Sequence, residues 1–147
     1  MYIDALNWKI LKCIQLNARQ SNAHIGRQVG ISSPAVSERI KKMEDAGIIE
    51  SYNALVSPFE TGYQLKALIT LRAFMGMLKP FLVKVKTYDE VINCYRITGN
   101  ENIVMEVVLK NQKHLESFID QLIVYGETKT QIILSHVVKH NEVKQLK

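Results

Sequence analysis

The stretch Ile31-Ser-Ser-Pro-Ala-Val-Ser-Glu-Arg-Ile-Lys-Lys-Met43 decides the fold of the N-terminal part of this 147-residue chain. Its beginning suits a helix start, because Ser32 can cap free backbone N–H groups and Pro34 needs no hydrogen-bond partner in a first turn. Val36, Ile40 and Met43 then recur at i, i+4 and i+7, on one side of a helix. The stretch therefore predicts an amphipathic helix that buries this apolar side.

Two further helices are predicted before this stretch. Asp4 and Ser21 are good N-cap residues, and each precedes a run of apolar residues at helical spacing. The first run is Leu6, Ile10, Leu11 and Ile14, and the second is Ile25 and Val29. Three helices are thus expected within about 45 residues, which is the size of a helix-turn-helix.

Three glycines mark the junctions of these helices. Gly30 can end the second helix by adopting a left-handed conformation, and Gly47 can end the third. Gly26 lies one turn before Gly30, where the second and third helices cross and need a small residue. Glycine costs about 1 kcal/mol relative to alanine inside a helix, so a packing reason for Gly26 is expected. The very short connection at Gly30 is typical of a helix-turn-helix, whose last helix enters the DNA major groove.

The positive charge of the chain is concentrated in this region. The whole chain has a net charge of +5 and a pI of about 9.2. Residues 5–43 contain seven Lys or Arg residues and a single acidic residue, Glu38, so the net charge of this segment is +6. Because duplex DNA is a polyanion, this local excess favours nucleic acid as the partner.

The outward side of the third helix supplies the candidate DNA contacts. Serine hydroxyls can donate to or accept from base edges and phosphates, and lysines suit phosphates. Arg39 either reaches a phosphate or pairs with Glu38, Glu44 or Asp45. Backbone amides at the start of the second helix, near Ser21, can also bind a phosphate. The expected DNA-binding residues are Ser21, Arg27, Ser32, Ser33, Pro34, Ser37, Arg39, Lys41 and Lys42.

The second half of the chain has a different period. A strand is predicted for residues 48–56 and a linker around Ser57–Gly62. The order strand, helix, strand, strand, helix, strand follows, at residues 65–74, 77–86, 91–98, 103–109, 111–122 and 128–138. This order is the ferredoxin-like βαββαβ arrangement. The predicted fold class is therefore α+β, with a helix-turn-helix domain at residues 1–50, a strand and linker at 51–63, and a ferredoxin-like domain for oligomerisation and effector binding at 64–147.

Several runs of sequence resemble the Lrp/AsnC family of bacterial and archaeal transcription regulators. They are Ile3–Leu11, Asn17–Arg19, Ile31–Ile40, Met43–Ile49, Cys94–Gly99 and Thr128–Leu134. The resemblance implies a winged-type helix-turn-helix and a ferredoxin-like ligand-binding domain. It further implies homodimers that pair their sheets, often four dimers in a ring as an octamer, and a small effector, commonly an amino acid, bound between dimers.

The resemblance also implies an effector site at Gly99, Asn100 and Asn102, with Thr128 and Thr130. Similar proteins usually carry an aspartate where this chain has Asn102, and a neutral amide binds an ammonium group less strongly than a carboxylate. A plain hairpin turn at Gly99–Asn102 is the other interpretation, since glycine and asparagine both adopt left-handed conformations.

Two other functions are alternatives for this sequence. A tetrapyrrole decarboxylase-like enzyme would keep this architecture without binding DNA, but the basic, serine-rich third helix argues against it. An architectural DNA-binding protein with little sequence preference would bind unrelated duplexes with uniform affinity. No residue pattern predicts a catalytic site, a cofactor or a metal site, and the chain is not expected to be an enzyme.

The cellular compartment follows from what the sequence lacks. No apolar run approaches the length of about 20 residues that crosses a bilayer, and no signal peptide is expected. Cys13 and Cys94 lie among apolar neighbours, as reduced thiols do. The expectation is a cytoplasmic protein that does not contact a membrane.

Overall fold

The structure, a computed structural model, describes residues 3–146. These residues form two compact units. The first runs to Ala54 and includes the segment that begins at Val138, and the second is Leu55–Val137. The chain therefore leaves the first unit once and returns to it near the C-terminus.

Three helices make up most of the first unit: α1 at Ala5–Leu16, α2 at Asn22–Val29 and α3 at Ser33–Asp45. Their predicted N-caps are confirmed. The side chains of Asp4, Ser21 and Ser32 each accept a hydrogen bond from the backbone N–H three residues later. The caps therefore define where each helix begins.

The apolar sides of the three helices meet in one core. Ile10, Ile25, Val36 and Met43 are 0 to 2 % exposed, and Leu11 is also buried. The predicted stripe of α3 is thus the side that faces α1 and α2. Half-buried Ile40 packs against the same core.

The predicted strand at residues 48–56 is wrong. Gly47 adopts φ +68° after α3, and the N–H groups of Ile48 and Ile49 turn back to the carbonyl of Met43. Residues 48–56 form no strand, and residues 51–56 are exposed. Their β-branched and apolar composition suits a strand, but the described chain offers their backbone no partner strand.

The second unit has the predicted βαββαβ order. It consists of β1 at Leu65–Ala73, α4 at Leu78–Lys84, β2 at Val91–Arg96, β3 at Ile103–Leu109, α5 at Gln112–Leu122 and β4 at Gly126–Ile132. Short 3-10 turns lie at Phe59–Thr61 and Val85–Thr87. Asn111 caps α5 as predicted, by accepting the N–H of His114.

The four strands form one antiparallel sheet in the order β2-β3-β1-β4. Alternate residues of β1 and β3 point to one face and are buried beneath α4 and α5: Ala67, Ile69, Leu71, Ile103, Met105, Val107 and Leu109. The other face, which we call the open face, carries Leu68, Thr70, Val104 and Tyr95, because paired residues of antiparallel strands share a face. The ferredoxin-like fold is confirmed.

The last strand is shorter than predicted and begins earlier. β4 ends at Ile132 instead of continuing to Val138. It pairs only with β1, where Ile132 lies opposite Ala67 and the N–H of Ile133 reaches the carbonyl of Lys66. Because β1 begins at Leu65, residues beyond Ile133 have no ladder to join.

Two hydrogen bonds join the segment after β4 to Gln15 of α1. The Gln15 side chain donates from Nε2 to the carbonyl of Val143 at 3.1 Å and accepts the N–H of Val143 at 2.8 Å. One amide thereby satisfies both backbone groups of a single residue.

Candidate nucleic-acid interface and effector loop

The outward side of α3 is an exposed polar surface supported by a rigid core. Pro34, Ser37 and Lys41 are exposed, whereas Val36 and Met43 on the opposite side are completely buried. A helix places residues 100° apart around its axis, so burial of the stripe determines which side chains face away. Of the predicted DNA-binding residues on α3, Lys42 is also exposed, Ser33 is half-buried, and Ser32 is the exposed cap.

The turn before α3 requires two glycines. Gly30 has φ +81°, the left-handed conformation predicted for it. The carbonyl of Gly26 accepts the N–H groups of Gly30 and Ile31 at 2.8 and 3.0 Å. A Cβ on Gly26 would lie 2.5 Å from the carbonyl oxygen of Ile31, closer than real Cβ atoms approach. The expected packing reason for Gly26 is thus a close approach of the turn that joins α2 to α3.

The two lysines at the end of α3 differ in their surroundings. Lys42 Nζ lies 2.7 Å from Glu38 Oε1, one turn earlier, and this contact lowers the pKa of the Glu38 carboxyl. Among the ion pairs formed by residues 3–146, none involves Lys41. Lys41 therefore presents a full positive charge, while that of Lys42 is partly neutralised.

Arg39 points elsewhere than expected. The sequence suggested a phosphate or Glu38, Glu44 or Asp45 as its partner, but Arg39 Nη1 lies 2.8 Å from Asp4 Oδ2. The same nitrogen donates to Asn7 Oδ1 at 2.9 Å. The predicted pairing within α3 is wrong because Arg39 lies on the edge of α3 next to α1, about 160° around the axis from Lys41. Glu44 instead accepts a hydrogen bond from Tyr52.

The remaining predicted DNA contacts belong to α2. Arg27 is exposed on this helix, and Ser21 is exposed at its N-terminus. The Ser21 hydroxyl accepts the N–H of His24 at 3.1 Å, so its own hydrogen is free to donate. These two positions lie at opposite ends of α2.

The loop between β2 and β3 contains the predicted effector residues. Gly99 adopts φ +110°, as a tight turn requires, and Asn100 is exposed beside it. Asn102 is held by the sheet: its Oδ1 accepts the N–H of Ala73 at 2.8 Å, and its N–H donates to the carbonyl of Leu71. Asn102 thus joins the loop to the end of β1.

Thr128 and Thr130 lie across β1 from that loop. They pair with Leu71 and Ile69 and are half-buried on the face of the sheet that α4 and α5 cover. Leu71 therefore has Asn102 on one side and Thr128 on the other. The structure brings the loop and the threonines to the same end of the sheet without direct hydrogen bonds between them among those observed.

A contact between the loop and β4 was missed by sequence reasoning. Lys129 Nζ lies 2.9 Å from Glu101 Oε1, which is a charge-assisted hydrogen bond that lowers the pKa of Glu101. The only signal in the sequence was the alternation of β4, which turns Lys129 away from the helices. Nothing local indicated its partner, 28 residues away.

Residues 3–146 contain no sign of a metal site or of a membrane-spanning helix. No group of three or more His, Cys, Asp or Glu residues in this part of the chain is arranged to hold a metal ion. Cys13 and Cys94 are half-buried free thiols, and burial raises the pKa of Cys94. Within the same residues, no helix has both the length and the apolar character that a membrane crossing needs.

Comparison with known families gives two matches that follow the two halves of the chain. Residues 3–50 match the winged helix-turn-helix DNA-binding family, and residues 66–143 match the Lrp/AsnC ligand binding domain. The second match covers more than half of the chain.

Relatives and solved structures agree with this assignment. The chain is 29% identical to the HTH-type transcriptional regulator LrpB of Bacillus subtilis, over 95% of this chain and 94% of that protein. It is 32% identical to the regulator Ptr1 of Methanocaldococcus jannaschii, over 82% of each chain.

Two solved structures superpose over nearly the whole chain. The structure of E. coli AsnC has a TM-score of 0.86 at 28% identity and covers 96% of this chain and 98% of its own. A Neisseria meningitidis transcriptional regulator, solved as a complex with L-Met, has a TM-score of 0.90 and covers 97% of this chain and 96% of its own. At 23% identity the latter supports the fold alone. The capped, outward-facing α3, the ferredoxin-like sheet and these matches together show that the chain belongs to the Lrp/AsnC family of DNA-binding transcription regulators.

Proposed function

We propose that the chain regulates transcription by placing α3 in the major groove of duplex DNA, with Ser33, Pro34 and Ser37 near base edges. The observation that carries this proposal is the division of α3 into a completely buried side and an exposed side rich in serine and lysine. Hydroxyl groups can donate or accept at base edges, so this surface suits adaptable sequence readout.

The phosphate contacts in this proposal come from both sides of the turn. Lys41 and Lys42 on α3 and Arg27 on α2 supply exposed positive charges. Ser21 and Ser32 supply helix N-termini, whose N–H groups bind phosphate oxygens. Each neutralised phosphate releases counterions, so binding is expected to weaken steeply with salt.

The proposed assembly is a homodimer, with higher assemblies such as the octamer built from it. Leu68 and Tyr95 on the open face are 36 % and 56 % exposed, and Val104 lies between them. Pairing two open faces would bury this apolar surface. Two recognition helices about 34–36 Å apart then meet successive turns of the major groove.

We further propose a small amino-acid effector at Gly99, Asn100 and Asn102, with Thr128 and Thr130. The regulator from Neisseria, with the same fold, is described as a complex with L-Met. Asn102 Oδ1 is occupied by the N–H of Ala73, so the Asn102 amide nitrogen is the group left to donate. A donor at this position suits the carboxylate of an amino acid better than its ammonium group.

The same proposal includes a non-enzymatic, cytoplasmic protein divided at residues 1–50, 51–63 and 64–147. The relatives named above are transcriptional regulators. Purified protein with haem-type absorbance and no retention on DNA would contradict the non-enzymatic assignment and favour the tetrapyrrole enzyme.

The test is selection of bound sequences from random duplex DNA, followed by affinity measurements with and without each amino acid. We expect an enriched palindromic sequence and a change in affinity with one or a few amino acids. Uniform affinity for unrelated duplexes would favour an architectural protein, and no binding at low ionic strength would refute the proposal.

A matched pair of variants shows whether α3 is the surface in use. Ser37→Ala with Lys41→Ala removes a serine and a lysine four residues apart on α3. The control, Lys113→Ala with Ser117→Ala, removes the same residue types at the same spacing on exposed positions of α5. Only the α3 variant is expected to lose binding, and equal losses would place the DNA elsewhere.

A further inference from the structure

A small polar network joins the recognition helix to the start of α1. Arg39 Nη1 donates to Asp4 Oδ2 at 2.8 Å and to Asn7 Oδ1 at 2.9 Å. Asp4 Oδ1 in turn accepts the N–H of Asn7 at 2.7 Å. Asp4 therefore both caps α1 and pairs with the guanidinium group. The hydrogen bonds from Arg39 and from the Asn7 backbone lower the pKa of the Asp4 carboxyl.

The network is partly shielded from solvent. Asn7 is 3 % exposed, and it is the one buried polar residue among the described core residues. The side chains of Arg39 and Asp4 are 33 % and 45 % exposed. If Arg39 turned toward a phosphate, the buried carbonyl of Asn7 would lose this donor, which is unfavourable for a polar atom without water.

We propose that Arg39 is a positioning residue for DNA recognition and not a phosphate ligand. Its hydrogen bonds to Asp4 and Asn7 set the rotation of α3 against α1. The apolar contacts of Val36 and Met43 hold α3 in the core but are not directional. Burial of these residues decides which side of α3 faces outward, whereas hydrogen bonds are directional. The network therefore fixes the remaining rotation of α3, and with it the orientation of Ser37 and Lys41 on the outward side.

The inference rests on the proposed placement of α3 in DNA, and it predicts effects of a definite sign. Asp4→Asn keeps an N-cap side chain of equal quality but removes the charge that holds Arg39. Electrostatics alone would make loss of an acidic group strengthen DNA binding. Positioning predicts the opposite, a roughly two- to fivefold loss of affinity for the selected sequence.

A matched control separates the two effects. Glu38→Gln removes an exposed carboxylate from α3 that does not contact Arg39 in an ion pair. It is expected to leave affinity unchanged or to increase it. A similar gain for Asp4→Asn would overturn the positioning role.

The specificity ratio distinguishes positioning from simple destabilisation. Affinities of Asp4→Asn and Arg39→Gln are measured for the selected sequence and for a scrambled duplex at several salt concentrations. Partial unfolding lowers both affinities by the same factor, whereas a rotated α3 loses the selected sequence preferentially. The ratio is therefore expected to fall in both variants, and an unchanged ratio would refute the inference.

The salt dependence tests the phosphate alternative. If Arg39 neutralised a phosphate, Arg39→Gln would reduce the slope of log affinity against log salt by about 0.9. We expect that slope to stay at the wild-type value. Wild-type protein that binds no duplex would refute the proposed function itself, whereas normal wild-type binding with unaffected variants would refute only the role of Arg39.

Discussion

The outward side of α3 and the loop at Gly99–Asn102 are the two surfaces to which the sequence assigned a ligand, and they differ in how their side chains are used. On α3, Ser37 and Lys41 are exposed and make no contacts that the fold depends on. In the loop, the Asn102 side chain accepts the N–H of Ala73, and the Glu101 carboxylate pairs with Lys129. The first surface is free to bind, and the second already has internal partners.

This difference shows what each kind of surface can be used for. An exposed helix side separates binding from stability, since its side chains are supported from behind by a core. The loop combines the two, because a ligand at Asn102 competes with or adds to contacts that hold the sheet together. Such a loop is suited to couple ligand binding to the end of the sheet.

The largest effect on stability is expected from a substitution at the turn that supports α3. Gly26→Ala would place a Cβ 2.5 Å from the carbonyl oxygen of Ile31. We expect a loss of about 2 kcal/mol in the free energy of unfolding, typical of overpacking. Hydrogen exchange should accelerate in α2 and α3, and exchange unchanged from wild type would contradict the close approach.

Gly126→Ala is the matched change in the second unit, with its Cβ 2.3 Å from the carbonyl oxygen of Arg72. Its effect should appear in β1 and β4. His24→Ala, at an exposed position of α2, serves as the control and should leave exchange in both units near the wild-type rates.

The next largest effect is found by comparing how alanine substitutions of Asn102 and of Ser37 change the free energy of unfolding. Asn102→Ala leaves the N–H of Ala73 without its acceptor and is expected to lower the free energy of unfolding by about 1–2 kcal/mol. Ser37→Ala should change it by less than about 0.5 kcal/mol, as at other exposed sites. Chemical denaturation measures both, and equal effects would remove the distinction between the two surfaces.

A third variant examines the effector hypothesis at the same position. Asn102→Asp retains an acceptor for Ala73, so stability should be close to wild type. A carboxylate there repels the carboxylate of an amino acid, so affinity for the effector found in the selection experiment should fall. Calorimetric titration measures it, and tighter binding would mean that the ligand presents its ammonium group to this site.

A smaller effect is the difference between the two lysines of α3 in the salt dependence of DNA binding. Lys41→Ala should reduce the slope of log affinity against log salt by about 0.9, the value for one neutralised phosphate. Lys42→Ala should reduce it less, because Glu38 already lies 2.7 Å from its ammonium group. Binding titrations at several salt concentrations compare them, and a larger change for Lys42 would reverse their assigned roles.

The smallest effect is the titration of Glu101. The hydrogen bond from Lys129 lowers the pKa of this carboxyl below the ordinary value of 4.5. The interaction therefore stabilises the loop above pH 4.5 and is lost as the pH falls through the lowered pKa. Titration followed by NMR should show this midpoint, and Lys129→Ala should return it toward 4.5. A midpoint that Lys129→Ala does not move would exclude the pair.

Much of the fold was predictable because its signals are local. N-cap side chains, glycines at helix ends and apolar periodicity act within a few residues, and they correctly placed α1 to α3 and β3. The strand at residues 48–56 failed for the opposite reason. A strand needs a partner as well as β-forming residues, and the partner is not encoded in the segment itself.

The candidate site follows the same division. Periodicity correctly predicted which side of α3 is exposed, because burial of Val36 and Met43 leaves Ser37 and Lys41 outside. It did not identify the partner of Arg39, since Asp4 and Asn7 lie more than 30 residues earlier. The pair of Glu101 and Lys129 was missed for the same reason.

The sequence by itself determined where the helices begin and end, the βαββαβ order and the basic character of the N-terminal region, because these depend on neighbouring residues and on composition. Only the tertiary structure decided that Arg39 pairs with Asp4 at the start of α1 and that Asn102 accepts a hydrogen bond from the end of β1. The return of the chain to its first unit at Val138 was likewise decided by the tertiary structure. Hydrogen bonds and ion pairs act over about 3 Å, so a side chain's partner is settled only when the fold brings distant segments within that distance.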